Sequence, residues 1–242
     1  MLSSRNLHKH FDGVVAAEGV TVEVAAGERV GLIGSNGAGK TTFVNLITGY
    51  LKPDSGSIAL DGRDITALGP REIQRLGVAR SFQIPQLCAE MSVLDNMLVA
   101  RACGKEALSF WKPVENDVIS ILKQFSLDQY SQRRVAELPG GVRKLLDIAL
   151  ALTRRPKLLL LDEPTSGVSA EEKFPLMDTV MQAVGSTAGT TAILFVEHDM
   201  EVVSRYASRV IAFYSGRVLA DGAPAAVLAD PDVRRHVTGA EA

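Results

Sequence analysis

The chain has 242 residues, of which 46% are hydrophobic, and its 26 basic and 28 acidic side chains give a formal net charge of -2. This apolar content excludes a disordered chain and suffices for one large domain, or for a core with a smaller lobe. The near balance of charge argues against a general nucleic-acid binder, which would present a bulk positive field.

The chain has two cysteines, Cys88 and Cys103, which is too few for a disulfide-stapled secreted scaffold, and we expect both to be free thiols. It has no run of roughly 18 consecutive apolar residues, the length that a transmembrane helix needs. Polar residues follow Met1 closely, where a signal peptide would have its apolar core. We therefore expect a cytosolic chain that reaches a membrane only through a partner.

The first half of the chain begins with short β-prone pieces, such as residues 20–24, separated by glycines. Residues 29–33 then predict a buried strand that runs into a glycine-rich turn. From Thr41 onward, apolar residues recur at helical spacing as far as Leu51. This order predicts a strand, turn and helix in which the helix N-terminus faces a ligand, and residues 57–60 predict another strand.

The second half of the chain changes texture near residue 88 and becomes helical up to about residue 153. The predicted elements are, in order, helices over 114–127 and 142–152, a buried strand over 157–161, a helix over 174–184, a buried strand over 192–196 and a hairpin over 210–220. The fold class predicted from this order is α/β, with a core that a helical insert interrupts.

The glycine-rich turn at residues 34–41, GSNGAGKT, fits the phosphate-loop pattern G-x-x-x-x-G-K-[ST] in full. Its glycines let successive backbone N–H groups point at phosphate oxygens, and the helix that follows adds its positive end. Lys40 is expected to bridge the β- and γ-phosphates, and the Thr41 hydroxyl to bind Mg²⁺. The nucleotide-binding residues predicted here are Gly34, Ser35, Asn36, Gly37, Ala38, Gly39, Lys40, Thr41 and Thr42.

A second motif follows the apolar run 158–161, which ends in two adjacent carboxylates, Asp162 and Glu163. A buried strand ending in two like charges requires a cation or a catalytic task to offset their repulsion. We expect Asp162 to hold Mg²⁺ through its hydration shell and Glu163 to polarise the attacking water. By itself the segment could also begin a helix at Pro164, but the phosphate loop favours the metal site.

With both motifs present, the chain resembles the ATP-binding subunits of ABC transporters over nearly its whole length. The resemblance implies one ABC ATP-binding domain over residues 1–242, with ATP and Mg²⁺ as ligands. Its P-loop NTPase core, with an antiparallel β subdomain, is expected to span 1–87 and 154–242. The helical insert, carrying the family's signature motif, is expected to span 88–153.

The resemblance also assigns roles to three isolated residues. Phe11 stands where the family's aromatic side chain stacks on adenine. Gln83, in the segment Ser-Phe-Gln, matches the glutamine that touches both Mg²⁺ and the membrane partner. His198 follows a buried strand and matches the histidine that contacts the γ-phosphate. The resemblance thus implies Glu163, His198 and Lys40 as catalytic residues, and Thr41, Gln83 and Asp162 around the metal.

The signature motif departs from the family pattern Leu-Ser-Gly-Gly-Gln, because it reads Leu138, Pro139, Gly140, Gly141, Val142. In the family this motif opens a helix that clasps the γ-phosphate bound to the opposite subunit. The two glycines preserve the close backbone approach. Proline removes a hydroxyl and an N–H, and valine replaces an amide side chain, so one or more direct hydrogen bonds are lost while the helix dipole remains.

Within the family, segments 46–66, 77–100 and 196–224 look like those of importers of branched-chain, hydrophobic amino acids. Urea or other small-solute importers and lipopolysaccharide-export ATPases share much of this texture and stay open as alternatives. A hydrolysis-poor regulatory subunit is a further alternative, motivated by the altered signature. A repair or translation ATPase is disfavoured, because the chain has neither a long coiled-coil insert nor a second cassette.

The resemblance implies a set of partners. A second ATPase subunit, identical or different, is expected to enclose two ATP molecules, each between one P-loop and the opposite signature. Permease subunits are expected to contact the region of Gln83, and a solute-binding protein acts indirectly, with no nucleic acid involved. The chain is therefore expected in the cytoplasm, peripheral on the inner face of the cell membrane.

Overall fold

The computed structural model describes residues 1–102, 114–185 and 190–239. The chain divides into two compact units, one of Met1–Val78 with Ala192–Ala242 and one of Ala79–Thr191. Cys88 is a free, exposed cysteine, and Cys103 lies outside the described residues. Among the helices that are described, none is long and apolar enough to cross a membrane.

The strands and helices alternate along much of the chain. The strands are β1 (Leu2–Phe11), β2 (Val14–Val24), β3 (Arg29–Gly34), β4 (Ser55–Leu60), β5 (Arg63–Asp64), β6 (Val78–Ser81), β7 (Leu158–Asp162), β8 (Ala192–Val196), β9 (Arg209–Tyr214) and β10 (Arg217–Gly222). The helices are α1 (Lys40–Ile47), α2 (Pro70–Arg75), α3 (Val93–Ala102), α4 (Val114–Gln124), α5 (Gly140–Leu152), α6 (Ala170–Gly185), α7 (Met200–Tyr206), α8 (Pro224–Ala229) and α9 (Pro231–Val233), followed by a π-helical turn over Arg234–Thr238.

The first unit contains an antiparallel sheet in the order β2-β1-β4-β5. Leu2 pairs with Val24 on one side and with Leu60 on the other, and all three side chains are buried. One face of this sheet therefore belongs to the core of the unit, as expected for an antiparallel sheet with one apolar face.

The first unit also contains the strands that carry the phosphate loop, in the order β10-β9-β3-β8. β3 runs parallel to both β8 and β9, and every residue of β8 is buried. Such continuous apolar strands form where both faces of a parallel sheet are covered. The carboxyl ends of β3 and β8 consequently lie at one edge, which is where parallel sheets bind ligands.

The second unit pairs β7 with β6 and contains helices α3 to α6. The apolar face of α5 buries Leu146, Ile148, Ala149 and Leu152. β7 is buried over Leu158–Leu161, so the apolar run before Asp162 is a strand, as its composition predicts. The helix that was expected to begin near residue 142 begins two residues earlier, at the first signature glycine.

The helix after the phosphate loop is shorter than the apolar spacing predicts. It ends at Ile47, and Gly49 adopts φ +75°, the left-handed conformation that terminates many helices. A Cβ at this position would lie 2.7 Å from the Leu68 carbonyl oxygen, so the turn requires glycine. The apolar residues beyond Gly49, such as Leu51, lie outside the helix.

Candidate nucleotide-binding site

The phosphate loop joins β3 to α1 in the first unit, as the strand–turn–helix pattern predicts. Gly39, the residue before the helix, has φ +104°. A Cβ there would lie only 2.5 Å from the Ala16 carbonyl oxygen on β2, so any side chain would force the loop to move. Gly37 has φ +79°, and a Cβ there would meet nothing within 4 Å. The loop backbone thus presents an open side with no side chain at position 37.

Lys40 is buried, and its ammonium binds the backbone at the start of the loop. Its Nζ donates hydrogen bonds to the carbonyl oxygens of Gly34 at 2.6 Å and of Ser35 at 3.0 Å. A buried ammonium needs such partners, because the loss of its hydration is costly. These bonds keep a positive charge on the loop, where phosphate oxygens would be bound.

The outer side of the loop is braced by the turn between β9 and β10. The Gly216 N–H donates to the Ala38 carbonyl oxygen at 2.9 Å, and the Gly216 carbonyl accepts from the N–H of Glu18 at 2.8 Å. The Arg217 guanidinium forms an ion pair with the Glu18 carboxylate at 2.7 Å. The phosphate loop is therefore held by β2 and by the β9–β10 turn. Sequence analysis did not connect Gly216, the glycine of that turn, with the phosphate loop.

His198 lies at the same sheet edge as the phosphate loop. Leu32 pairs with Val196, so Gly34 and His198 each stand two residues beyond a paired position on neighbouring parallel strands. The His198 side chain is exposed, and its backbone N–H donates to the Glu197 carboxylate at 3.2 Å. The strand register thus brings the predicted γ-phosphate histidine and the start of the loop to one edge.

Phe11 ends β1 and remains 41% exposed. The Lys9 ammonium lies over its ring, 5.5 Å from the centroid, and is paired with the Asp54 carboxylate at 2.7 Å. Lys9 and the backbone N–H of His10 hold the pKa of Asp54 at about 2, so this carboxylate stays charged. The exposed ring is suited to stacking.

In the second unit, the acidic strand and the glutamine loop come together. Gln83 donates from Nε2 to the Glu163 Oε2 at 2.7 Å, although the two residues are far apart in sequence. Glu163 has φ +46°, a left-handed conformation that costs a non-glycine residue energy. Strain of this kind collects at functional sites, where the surrounding structure enforces it.

Sequence analysis missed Arg80, which forms an ion pair with Asp162 through Nη2 and Oδ2 at 2.6 Å. Both side chains are nearly buried, so a charge-assisted hydrogen bond holds the predicted metal-binding carboxylate. The Arg80 guanidinium also lies over the Phe82 ring, 4.8 Å from its centroid. A lone arginine before Ser-Phe-Gln carries no motif, so only the fold reveals this contact.

Two further ionisable residues beside the site, Lys144 and Asp147, lie on α5 and also escaped sequence analysis. Both are buried, and both bind the backbone around Gln83. Burial raises the pKa of the Asp147 carboxyl, an effect that the hydroxyl of Ser81 opposes by donating to it. The sequence feature that could have identified these two residues is that they interrupt the apolar spacing of the helix.

The signature residues form the start of α5. Leu138 is buried, Pro139 is exposed at the N-cap position, and no side chain caps the helix there. A Cβ on Gly140 would meet nothing within 4 Å, so the first turn presents its backbone openly. Unlike serine, Pro139 has no side-chain oxygen to accept from the first-turn N–H groups, which leaves them available to a ligand.

No cluster of three or more histidine, cysteine, aspartate or glutamate side chains that could hold a metal occurs among the described residues. The oxygen-bearing side chains of Thr41, Gln83 and Asp162 are nevertheless of the type that Mg²⁺ prefers. This ion is commonly held by one or two carboxylates together with phosphates and water. The chemistry of each donor, Thr41 in the first unit and Gln83 and Asp162 in the second, therefore fits a magnesium ion that arrives with a nucleotide.

A parallel sheet, a complete phosphate loop at the carboxyl end of β3 and an acidic strand define the chain as a P-loop nucleoside triphosphatase. The family model described as ABC transporter matches residues 17–166, which is more than half of the chain. The chain belongs to the ABC transporter family.

Full-length relatives give the same result. The probable branched-chain amino acid transport ATP-binding protein LivG of Archaeoglobus fulgidus is 34% identical over 250 residues, covering 100% of this chain and 96% of that protein. The high-affinity branched-chain amino acid transport ATP-binding protein LivG of Escherichia coli is 32% identical, covering 99% of this chain and 98% of that protein.

Solved structures agree with the fold. The crystal structure of an ATP-binding cassette of an ABC transporter in its ADP conformation matches with a TM-score of 0.84 and 32% identity, covering 97% of each chain. A nucleotide-free ATP-binding cassette from an ABC transporter matches with a TM-score of 0.83 and 31% identity, covering 96% of each chain. The α/β P-loop cassette predicted from the sequence is confirmed, and the chain is an ATP-hydrolysing subunit of an ABC transporter.

Proposed function

We propose that this subunit powers the import of branched-chain or other hydrophobic amino acids. The observation that carries the proposal is 32–34% identity, over essentially the whole chain, with proteins named for branched-chain amino acid transport. The solute passes through other subunits, so no residue of the described nucleotide site recognises it. Urea or other small-solute import and lipopolysaccharide export are the competing assignments.

In the proposed reaction, the loop amides and Lys40 bind the phosphates, and Phe11 stacks on the adenine. Glu163 polarises the attacking water, and His198 contacts the γ-phosphate. Phosphoryl transfer requires little covalent chemistry from the protein, so these groups act by positioning and by neutralising charge. The buried Lys40 ammonium and the strained Glu163 backbone support this division of roles.

Thr41, Asp162 and Gln83 are the residues that we propose to hold Mg²⁺. When bound with the nucleotide, the ion neutralises charge on the β- and γ-phosphates. Arg80 already neutralises part of the Asp162 charge, which suits a carboxylate that binds the ion through water.

The proposed working assembly pairs this chain with a second ATPase subunit and with membrane permeases. The exposed Gly140 and the open first turn of α5 support contact with a phosphate on the opposite subunit. The permeases are proposed to contact the Gln83 region, placing the chain on the inner face of the cell membrane, and a solute-binding protein acts from the other side.

The test of the solute class is ATPase stimulation in the reconstituted transporter. We expect leucine-loaded binding protein to raise the ATPase rate several-fold, because importers couple solute delivery to closure of the ATPase pair. Binding protein without solute is the control. Stimulation by urea but not by any hydrophobic amino acid would contradict the proposed solute class and favour the competing one.

A second candidate function is favoured by one observation, the Pro139 N-cap. A signature without its serine hydroxyl fits a subunit that binds ATP and gates a partner while hydrolysing slowly. Restoring the signature with Pro139→Ser and Val142→Gln separates this regulatory role from that of an active motor.

A further inference from the structure

Two charged side chains lie in the interior of the second unit on the signature helix α5. Lys144 is 3% exposed and Asp147 is 6% exposed. Residues three apart share one face of a helix, so both point the same way. Burying ionisable groups is costly unless hydrogen bonds compensate, and both side chains form hydrogen bonds with the glutamine loop or the acidic strand.

Asp147 binds the glutamine loop on both sides of Gln83. Its Oδ2 accepts from the Ser81 hydroxyl at 2.6 Å and from the Phe82 N–H at 3.2 Å. Its Oδ1 accepts from the Gln86 N–H at 3.3 Å. One carboxylate thus spans the loop and fixes the backbone that presents Gln83.

Lys144 connects this loop with the acidic strand. Its Nζ donates to the carbonyl oxygens of Phe82 at 2.9 Å, Gln83 at 3.2 Å and Asp162 at 3.3 Å. The Asp162 carbonyl belongs to the peptide bond that precedes Glu163. The ammonium therefore ties together the backbones of the two residues whose side chains meet at 2.7 Å.

We infer that Lys144 and Asp147 are positioning residues that hold Gln83 against Glu163 and fix both to the signature helix. This inference rests on the proposed function, in which Gln83 and Glu163 serve ATP hydrolysis and the start of α5 meets the partner's nucleotide. A displacement of α5 when that partner closes is then passed directly to Glu163. Lys144 and Asp147 thus link the ATP site of the partner with the catalytic carboxylate of this chain.

The first variant is Asp147→Asn, which keeps the side-chain volume but places an amide NH₂ where an oxygen accepted a hydrogen bond. In the chain assembled with its ATPase and permease partners, we expect kcat to fall about tenfold, since small misplacements of catalytic groups are costly. The KM for ATP should stay within about twofold, because the phosphate loop and Phe11 belong to the other unit. Asp128→Asn, at an exposed position, is the matched control and should keep the wild-type kcat.

Ser81→Ala is a milder variant, in case Asp147→Asn impairs folding. It removes the shortest bond to Asp147 and should lower kcat about threefold at unchanged KM. Lys144→Met should lower kcat, and Lys144→Arg should restore much of it by again donating to carbonyls. Lys123→Met, at an exposed lysine on α4, is the control.

A double-mutant cycle tests whether Asp147 acts through Gln83. In a Gln83→Ala background, Asp147→Asn should change kcat by less than about twofold, because contacting residues in one network are not additive. An equal loss in both backgrounds, or a lower unfolding temperature with unchanged kcat, would overturn the inference while leaving the proposed function intact. An inactive wild-type assembly would instead overturn the proposed function, and the inference with it.

Discussion

At the scale of single residues, the proposed mechanism gives Glu163 and Lys40 separate tasks. Glu163 follows β7 in a left-handed conformation and accepts a hydrogen bond from Gln83, while Lys40 binds the carbonyls of the phosphate loop. A carboxylate acts on water, and an ammonium acts on phosphate. Their loss should therefore affect different steps.

The first prediction compares Glu163→Gln with Lys40→Ala. Glutamine keeps the shape of glutamate but cannot take up a proton, so turnover should fall at least about 100-fold with nucleotide affinity intact. Lys40→Ala should weaken ATP binding about ten- to a hundredfold, because a charged donor to phosphate is lost. Titration with a fluorescent ATP analogue measures the nucleotide affinity of both variants. Equal affinities in the two variants would disprove the separation of roles.

The second prediction concerns Phe11. Phe11→Ala should raise the Kd for ATP about three- to tenfold and leave kcat at saturating ATP nearly unchanged, since ring stacking is worth about 0.5–1.5 kcal/mol. Tyr50→Ala is the control, because Tyr50 is an exposed aromatic residue three positions beyond the end of the loop helix. A weaker affinity in Tyr50→Ala with none in Phe11→Ala would move the adenine platform to Tyr50.

Among the elements, α5 carries the departure from the family pattern. Its first turn is open, and its N-cap is a proline without a capping side chain. The helix dipole and the N–H groups of the glycines remain, so the signature keeps the backbone groups of the proposed phosphate contact. The missing part is the serine hydroxyl and the glutamine side chain.

The third prediction restores these groups with Pro139→Ser and Val142→Gln together. A charge-assisted hydrogen bond to the γ-phosphate is worth about 1.5–3 kcal/mol, so hydrolysis at the site closed by this signature should rise roughly ten- to a hundredfold. The ATPase rate of the assembled pair measures it. No gain, or a loss, would mean that the glycine amides and the helix dipole already suffice.

The type of assembly sets the outcome of a companion variant. In a homodimer both sites share the altered signature, so Glu163→Gln should abolish all turnover. In a heterodimer it should remove most activity, because the site made by this chain's P-loop and the partner's signature is the better catalyst. Turnover in Glu163→Gln close to the wild-type rate would contradict both cases.

At the scale of the whole molecule, local patterns predicted the elements around the phosphate loop, because a buried apolar strand and a glycine turn have strong signals. The full extent of β1 was missed. Its pairing register shifts between Ser4 and Leu7, and Asn6 has φ +49°, so the alternation that identifies a strand is interrupted.

Contacts distant in sequence could not be predicted. Lys144 and Asp147 interrupt an apolar spacing, a pattern that usually indicates a solvated helix face, yet both are buried against the glutamine loop. The Arg80–Asp162 ion pair joins residues 82 positions apart, and single-sequence patterns carry no information on such pairs. The roles of the site residues and the 88–153 bounds of the helical insert stay predictions.

The most direct test of the proposed import is accumulation of labelled leucine. Proteoliposomes containing this chain, its ATPase and permease partners and external binding protein are loaded with ATP and Mg²⁺. Leucine should accumulate against its gradient when ATP is enclosed, and Glu163→Gln should stop accumulation while ATP still binds. ATP hydrolysis without accumulation of any hydrophobic amino acid, or equal accumulation in Glu163→Gln, would contradict the account.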